Sequence, residues 1–150
     1  MNFEKDMKII LEYAHYWNWA SDWIILQNVY EAFPDSYSIL TPFAYSYLEE
    51  LIRSTTSEYG IEVLDENGNE IRRKVGKKLI ALAKKENENN SDYIGLLNKV
   101  EFYFQDSSSS DNGNNRNSVD HGYMHPINWT KKSFENLIHD IAEISPYNKF

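Results

Sequence analysis

Thr130-Lys131-Lys132-Ser133-Phe134-Glu135-Asn136-Leu137-Ile138-His139-Asp140-Ile141-Ala142-Glu143-Ile144-Ser145 places its large apolar residues at Phe134, Leu137, Ile138, Ile141 and Ile144. Steps of three and four put all five on one face of an α-helix. Thr130 is an oxygen-bearing side chain of the kind that caps a helix start. The same period recurs upstream and makes the chain all-α. Phe3, Met7, Ile10, Tyr13 or Ala14, and Trp17 form a first stripe. Ser21 to Ala32 follows, with Ser21 as N-cap, Trp23, Leu26 or Ile25, and Val29 or Tyr30 inward, and Phe33-Pro34-Asp35 as its stop. These two segments also fit one bent helix.

Thr41-Pro42 has the form of an N-cap with proline at the first helical position. Ala44, Leu48, Leu51, Ile52 and Thr55 then form a stripe that ends near Gly60. Ile61-Glu62-Val63 alternates like a strand, and Asn67-Gly68 is a hairpin signal. A short β-hairpin is therefore expected near 61–72. Ile71, Val75, Leu79 and Leu82 open another helix, Asn87 to Asn90 interrupts it, and Tyr93, Leu97, Val100 and Phe104 make the next. Asp106 to Asn115 has no hydrophobic member, so it is expected to be a flexible loop without a core to join. The expectation is a single-domain bundle of five or six helices spanning 1–150.

Composition narrows the function. One hundred and fifty residues suffice for one core, and 41% of them are hydrophobic. The absence of cysteine removes disulfides, thiolate zinc sites and a cysteine nucleophile, and it fits a reducing cytosol. No apolar run approaches the ~20 residues of a membrane span. The N-terminus, with Glu4 and Asp6, lacks a signal-peptide pattern, so the expected location is cytoplasmic with no membrane partner. The formal net charge of −8 counts against a broad nucleic-acid coat, and no DNA partner is expected. Charge is uneven, however: Arg116 to Lys132 holds three cations and one acid.

That basic stretch contains Asn115-Arg116-Asn117-Ser118-Val119-Asp120-His121-Gly122. Arginine holds phosphate with a planar fork of donors, and histidine moves protons near neutral pH. On a helix, positions five apart lie about 140° from one another, so Arg116 and His121 do not share a face. Arg116 with Asp120, and Asn117 with His121, do. A structural reading follows, with Arg116 paired to Asp120 and a partly buried His121 bonded to Asn117.

The segment resembles the R-x4–6-H signature of HEPN domains (higher eukaryotes and prokaryotes nucleotide-binding). In that family a polar residue, often Asn, follows the Arg, and Gly commonly follows the His. Arg116, Asn117, His121 and Gly122 fill those places. The family's all-helical bundle, with its motif after a variable loop and before a terminal helix, also resembles this layout. The resemblance implies a metal-independent endoribonuclease without cofactors, usually a homodimer, often a toxin held by a partner such as a small nucleotidyltransferase antitoxin. It assigns acid–base work to His121, phosphate holding to Arg116 and a supporting role to Asn117. RNA, with tRNA as one candidate, is the implied substrate. The alternative is a non-catalytic helical module that binds RNA, nucleotide or a protein.

His121 and His125 have the spacing of a helical zinc pair, but Gly122 and Pro126 argue against a helix there, and no metal site is expected. His125, Lys131 and Lys132 are candidate RNA contacts. Asp65 to Glu70 lacks the glycine and glutamate positions of a calcium loop. Trp17, Trp19 and Trp23 suit a core or dimer face better than base stacking. Glu49 and Arg53 have the spacing of an exposed ion pair. Arg72-Arg73-Lys74 with Lys77-Lys78 forms a second basic patch on a solvated face.

Overall fold

The computed structural model describes residues 2–150. Among them the helices are α1 (Phe3–Tyr13), α2 (Ser21–Ala32), α3 (Tyr37–Arg53), α4 (Gly76–Glu86), α5 (Ser91–Val100), α6 (Arg116–Asp120) and α7 (Lys131–Ile144). α6 is only five residues long, so the bundle rests on the other six, as the periodicity indicates. No helix of the described residues is long and apolar enough to cross a membrane.

α7 is the hub, packing against α1, α3 and α5. Phe134, Leu137, Ile138, Ile141 and Ile144 are all fully buried, as their spacing requires. Thr130 accepts the Ser133 N–H at 3.1 Å and caps the helix. From α3, Ala44, Leu48, Leu51 and Ile52 meet this face, and α5 adds Tyr93, Leu97 and Val100. Asn90 caps α5 by accepting the Tyr93 N–H.

Several boundaries differ from the sequence reading. Extended backbone at Ala14 and His15 ends α1, and a single π-helical turn, Tyr16–Ala20, then runs directly into α2. This break resets the helical period, so Trp17 is 82% exposed rather than inward, whereas Trp23 is fully buried and Trp19 packs edge-on against Tyr47. Ser21 sits inside this continuous stretch and makes no cap. α3 begins at Tyr37, four residues before Thr41, because a 3-10 turn at Pro34–Ser36 leads into it. Thr41 is therefore interior, and its hydroxyl donates back to the Tyr37 carbonyl at 2.7 Å. α4 starts only at Gly76, so Ile71 and Val75 lie exposed on extended chain, and Leu79, Ile80 and Ala83 face inward.

The hairpin expected near 61–72 reduces to one antiparallel bridge, Leu64 with Glu70, around a turn in which Asp65 Oδ1 accepts the Asn67 and Asn69 N–H groups. No strand ladder forms among the described residues, because Ile61, Leu64 and Ile71 are all exposed and have no core face to align them.

Candidate functional site

The ten polar residues before the motif do join the core, in their second half. Gly113 takes φ +89°, and a Cβ there would lie 2.9 Å from Trp129 Cβ, so the backbone seats directly on that buried indole. Tyr45 donates its hydroxyl to the Gly113 carbonyl at 2.9 Å. Asn112 accepts the Thr130 N–H through its carbonyl and the Ser133 hydroxyl through Oδ1, each at 2.9 Å. The expectation of a loop with no core to join is thus corrected for Asp111 to Asn115.

These anchors set the start of α6. Asn115, nearly buried, accepts the Ser118 N–H at 3.0 Å and donates its own amide to the Gln105 carbonyl at 3.0 Å. Ser118 is fully buried, and its hydroxyl donates to Asp111. Val119 turns into the core. At the other end His121 closes the helix, Gly122 takes φ +64°, and Gly122 and Tyr123 donate their N–H groups to the carbonyls of Val119 and Ser118. This is the Schellman pattern, in which a left-handed glycine stops a helix. The pair His121-Gly122 is thereby explained as a helix stop that leaves the imidazole in solvent.

Arg116 opens α6 and is 17% exposed. Its Nη2 donates to Glu49 Oε2 at 2.7 Å, and its Nε lies 2.9 Å from Asp120 Oδ2, off the N–H axis. Nη1 is held by Asn117 Oδ1 at 3.3 Å. Glu49 corrects the sequence reading: it and Arg53 are buried, each 6% exposed, with 3.8 Å between their charged atoms. Glu49 Oε1 also accepts the Gly76 N–H at 3.1 Å. One buried carboxylate therefore joins α3, α6 and the start of α4. Burial raises the Asp120 carboxyl above its ordinary value, Arg116 opposes that rise and Glu49 adds to it.

The structure brings Arg116 and Asp120 together but not Asn117 and His121. His121 is exposed, and its only bond to Asn117 runs from its backbone N–H to the Asn117 carbonyl. The Asn117 amide donates instead to the Gln105 carbonyl at 3.1 Å. His125 caps a 3-10 turn, its Nδ1 accepting the Ile127 N–H, so the helical zinc geometry does not arise. Lys131 sits 5.6 Å over the Tyr30 ring. Lys132 lines a depression with Asn112, Asn114 and Asn136. Arg116 lines a different one, open to solvent, with Ser46, Glu49, Glu50, Arg53 and Val75. Lys132 and the motif arginine thus face separate hollows, and Lys131 lines neither.

Comparison with protein-family models, curated proteins and solved structures finds no match for this chain. The functional reading rests on its own residues.

Sequence reasoning missed Glu49 as a partner of Arg116. A signal was present: Tyr45, Glu49 and Arg53 recur at four-residue steps beside the apolar stripe of α3, where a carboxylate needs a cation to be buried.

Proposed function

We propose that this chain is a metal-independent endoribonuclease of the HEPN type, acting as a homodimer in toxin–antitoxin or phage defence. The observation that carries the reading is the placement of the motif pair. His121 stands in solvent at the end of α6, and Arg116 lines an open depression at its start, with Nη1 held only by Asn117 Oδ1 at 3.3 Å.

In this mechanism the RNA 2′-oxygen attacks the adjacent phosphorus and the 5′-oxygen leaves, giving a 2′,3′-cyclic phosphate and a 5′-hydroxyl. One imidazole accepts the 2′-OH proton and another donates a proton to the leaving oxygen. A homodimer supplies two copies of His121 for those tasks. Arg116 Nη1 holds a non-bridging oxygen and stabilises the charge gained in the transition state. Glu49 and Asp120 fix the guanidinium plane.

The same clamp favours a second reading. Two carboxylates on one guanidinium weaken its hold on phosphate, as expected where the motif only ties α6 to α3 in a non-catalytic module that binds RNA, nucleotide or a protein such as an antitoxin.

The test is cleavage of end-labelled total tRNA in EDTA. Wild type is expected to cut and leave cyclic phosphate ends, with His121→Ala slower by about 10²–10⁴-fold. His121 is exposed and its variant should fold normally. Arg116→Ala must be checked by circular dichroism, since it strips the buried Glu49 of its closest cation. No cleavage by a folded wild-type dimer selects the second reading.

A further inference from the structure

From Ile71 to Lys85 the chain carries Arg72, Arg73, Lys74, Lys77, Lys78, Lys84 and Lys85 and no acid. Seven of the protein's 15 Lys and Arg residues lie in this segment, whereas all 23 of its acids lie elsewhere. Three of the seven are neutralised: Lys74 by Glu58 at 2.7 Å, Lys77 by Asp106 at 3.2 Å and Lys84 by Glu101 at 2.7 Å. Among the described residues, Arg72, Arg73, Lys78 and Lys85 have no acidic partner within 4 Å. Arg72, Arg73, Lys74, Val75 and Lys78 line one groove. Lys78 and Lys85, two helical turns apart, continue its charge along one face of α4.

The groove is fixed to the motif. Val75 lines both this groove and the Arg116 depression. Arg53 Nη2 donates to the Lys74 carbonyl at 2.9 Å, Glu58 accepts the Lys74 N–H at 2.7 Å, and Glu49 accepts the Gly76 N–H while pairing with Arg116. Glu49 thus grips both Arg116 and this backbone at Gly76, while Arg53, which pairs with Glu49, and Glu58 hold Lys74 beside the free cations.

We infer that Arg72, Arg73, Lys78 and Lys85 form a binding strip for the sugar-phosphate backbone of single-stranded RNA, leading into the depression lined by Arg116. The direction of the strip rests on the ribonuclease reading. Its polyanion chemistry rests on the unpaired cations alone. Arginine forks suit phosphate oxygens, and a concentrated strip on a chain of net charge −8 gives a polyanion one place to bind.

The test uses a fluorescein-labelled 2′-O-methyl oligouridine of about 12 nucleotides, which lacks the attacking hydroxyl and cannot be cut. Fluorescence anisotropy is measured across a salt series. Wild type is expected to bind, and the exposed triple variant Arg72→Gln, Arg73→Gln, Lys78→Gln to bind about 10–100-fold more weakly. For single strands each phosphate contact contributes about 0.7 to the salt slope, so the slope should fall by about 2. Lys5→Gln with Lys8→Gln, the same chemical change on α1, should leave both unchanged. Equal binding by wild type and the triple variant overturns the inference, as does competition by oligoglutamate at the same charge concentration, which would assign the strip to an acidic protein. Strip-dependent binding by a chain that cuts no RNA would sink the ribonuclease reading and leave the strip in place.

Discussion

At the scale of single residues, the candidate site is organised by two residues outside the Arg116/His121 pair. Glu49 holds Arg116 from α3, and Gly113 holds the start of the motif against Trp129. Gly113 is required twice over, by its positive φ and by the absence of room for a Cβ. Gly113→Ala is expected to destabilise the fold by about 1–3 kcal/mol, read from the urea midpoint. A loss under about 0.5 kcal/mol would show that the loop can lift off the indole at little cost. The sequence signals that Glu49 needs a cation but not that Arg116 supplies it, and it gives no sign of the Gly113–Trp129 contact, because each contact joins residues far apart in the chain. The local part of the site was legible. Arg116 and Asp120 pair as four-residue spacing indicates.

At the scale of elements, stripes were legible and starts only in part: Ser21 and Thr130 stand at the starts of α2 and α7, whereas α3 and α4 begin elsewhere than their sequence signals suggest. The buried faces of α3, α5 and α7 follow from period alone, since only one face can meet the core. Thr41-Pro42 misleads because threonine can cap forward or bond backward, and the Tyr37 carbonyl makes the backward bond available. Thr130 caps α7 as its residue type predicts, and the cap can be tested. Thr130→Ala removes the acceptor of the Ser133 N–H, and a loss of about 1 kcal/mol in urea unfolding is expected. An unchanged midpoint would mean that Ser133, which also bonds Asn112, supports the helix start by itself.

For the whole molecule, residues 60–75 between α3 and α4 include no buried residue and are held to the bundle largely by charged side chains. Burial pushes Glu58 upward, but the bonds from the Lys74 ammonium and N–H outweigh it and hold its carboxyl below the ordinary 4.5. A carboxyl lowered in the folded state stabilises fully above its unfolded value, and that contribution is lost as pH falls through the folded one. Urea midpoints taken from about pH 6 to about pH 3 should therefore fall more steeply for wild type than for Glu58→Gln. Parallel curves would show that the Lys74 contact contributes nothing to folding. The Gln105 carbonyl has a different use. It accepts from both Asn115 and Asn117, so the chain departs at Gln105 and returns to the same oxygen ten residues later, and the serines between form a closed excursion. Lengthening such a loop costs only about 0.6 kcal/mol per doubling. Ser108-Ser109-Ser110 is therefore a natural graft point, where an epitope or fluorophore could be carried a few residues from the motif without entering the core.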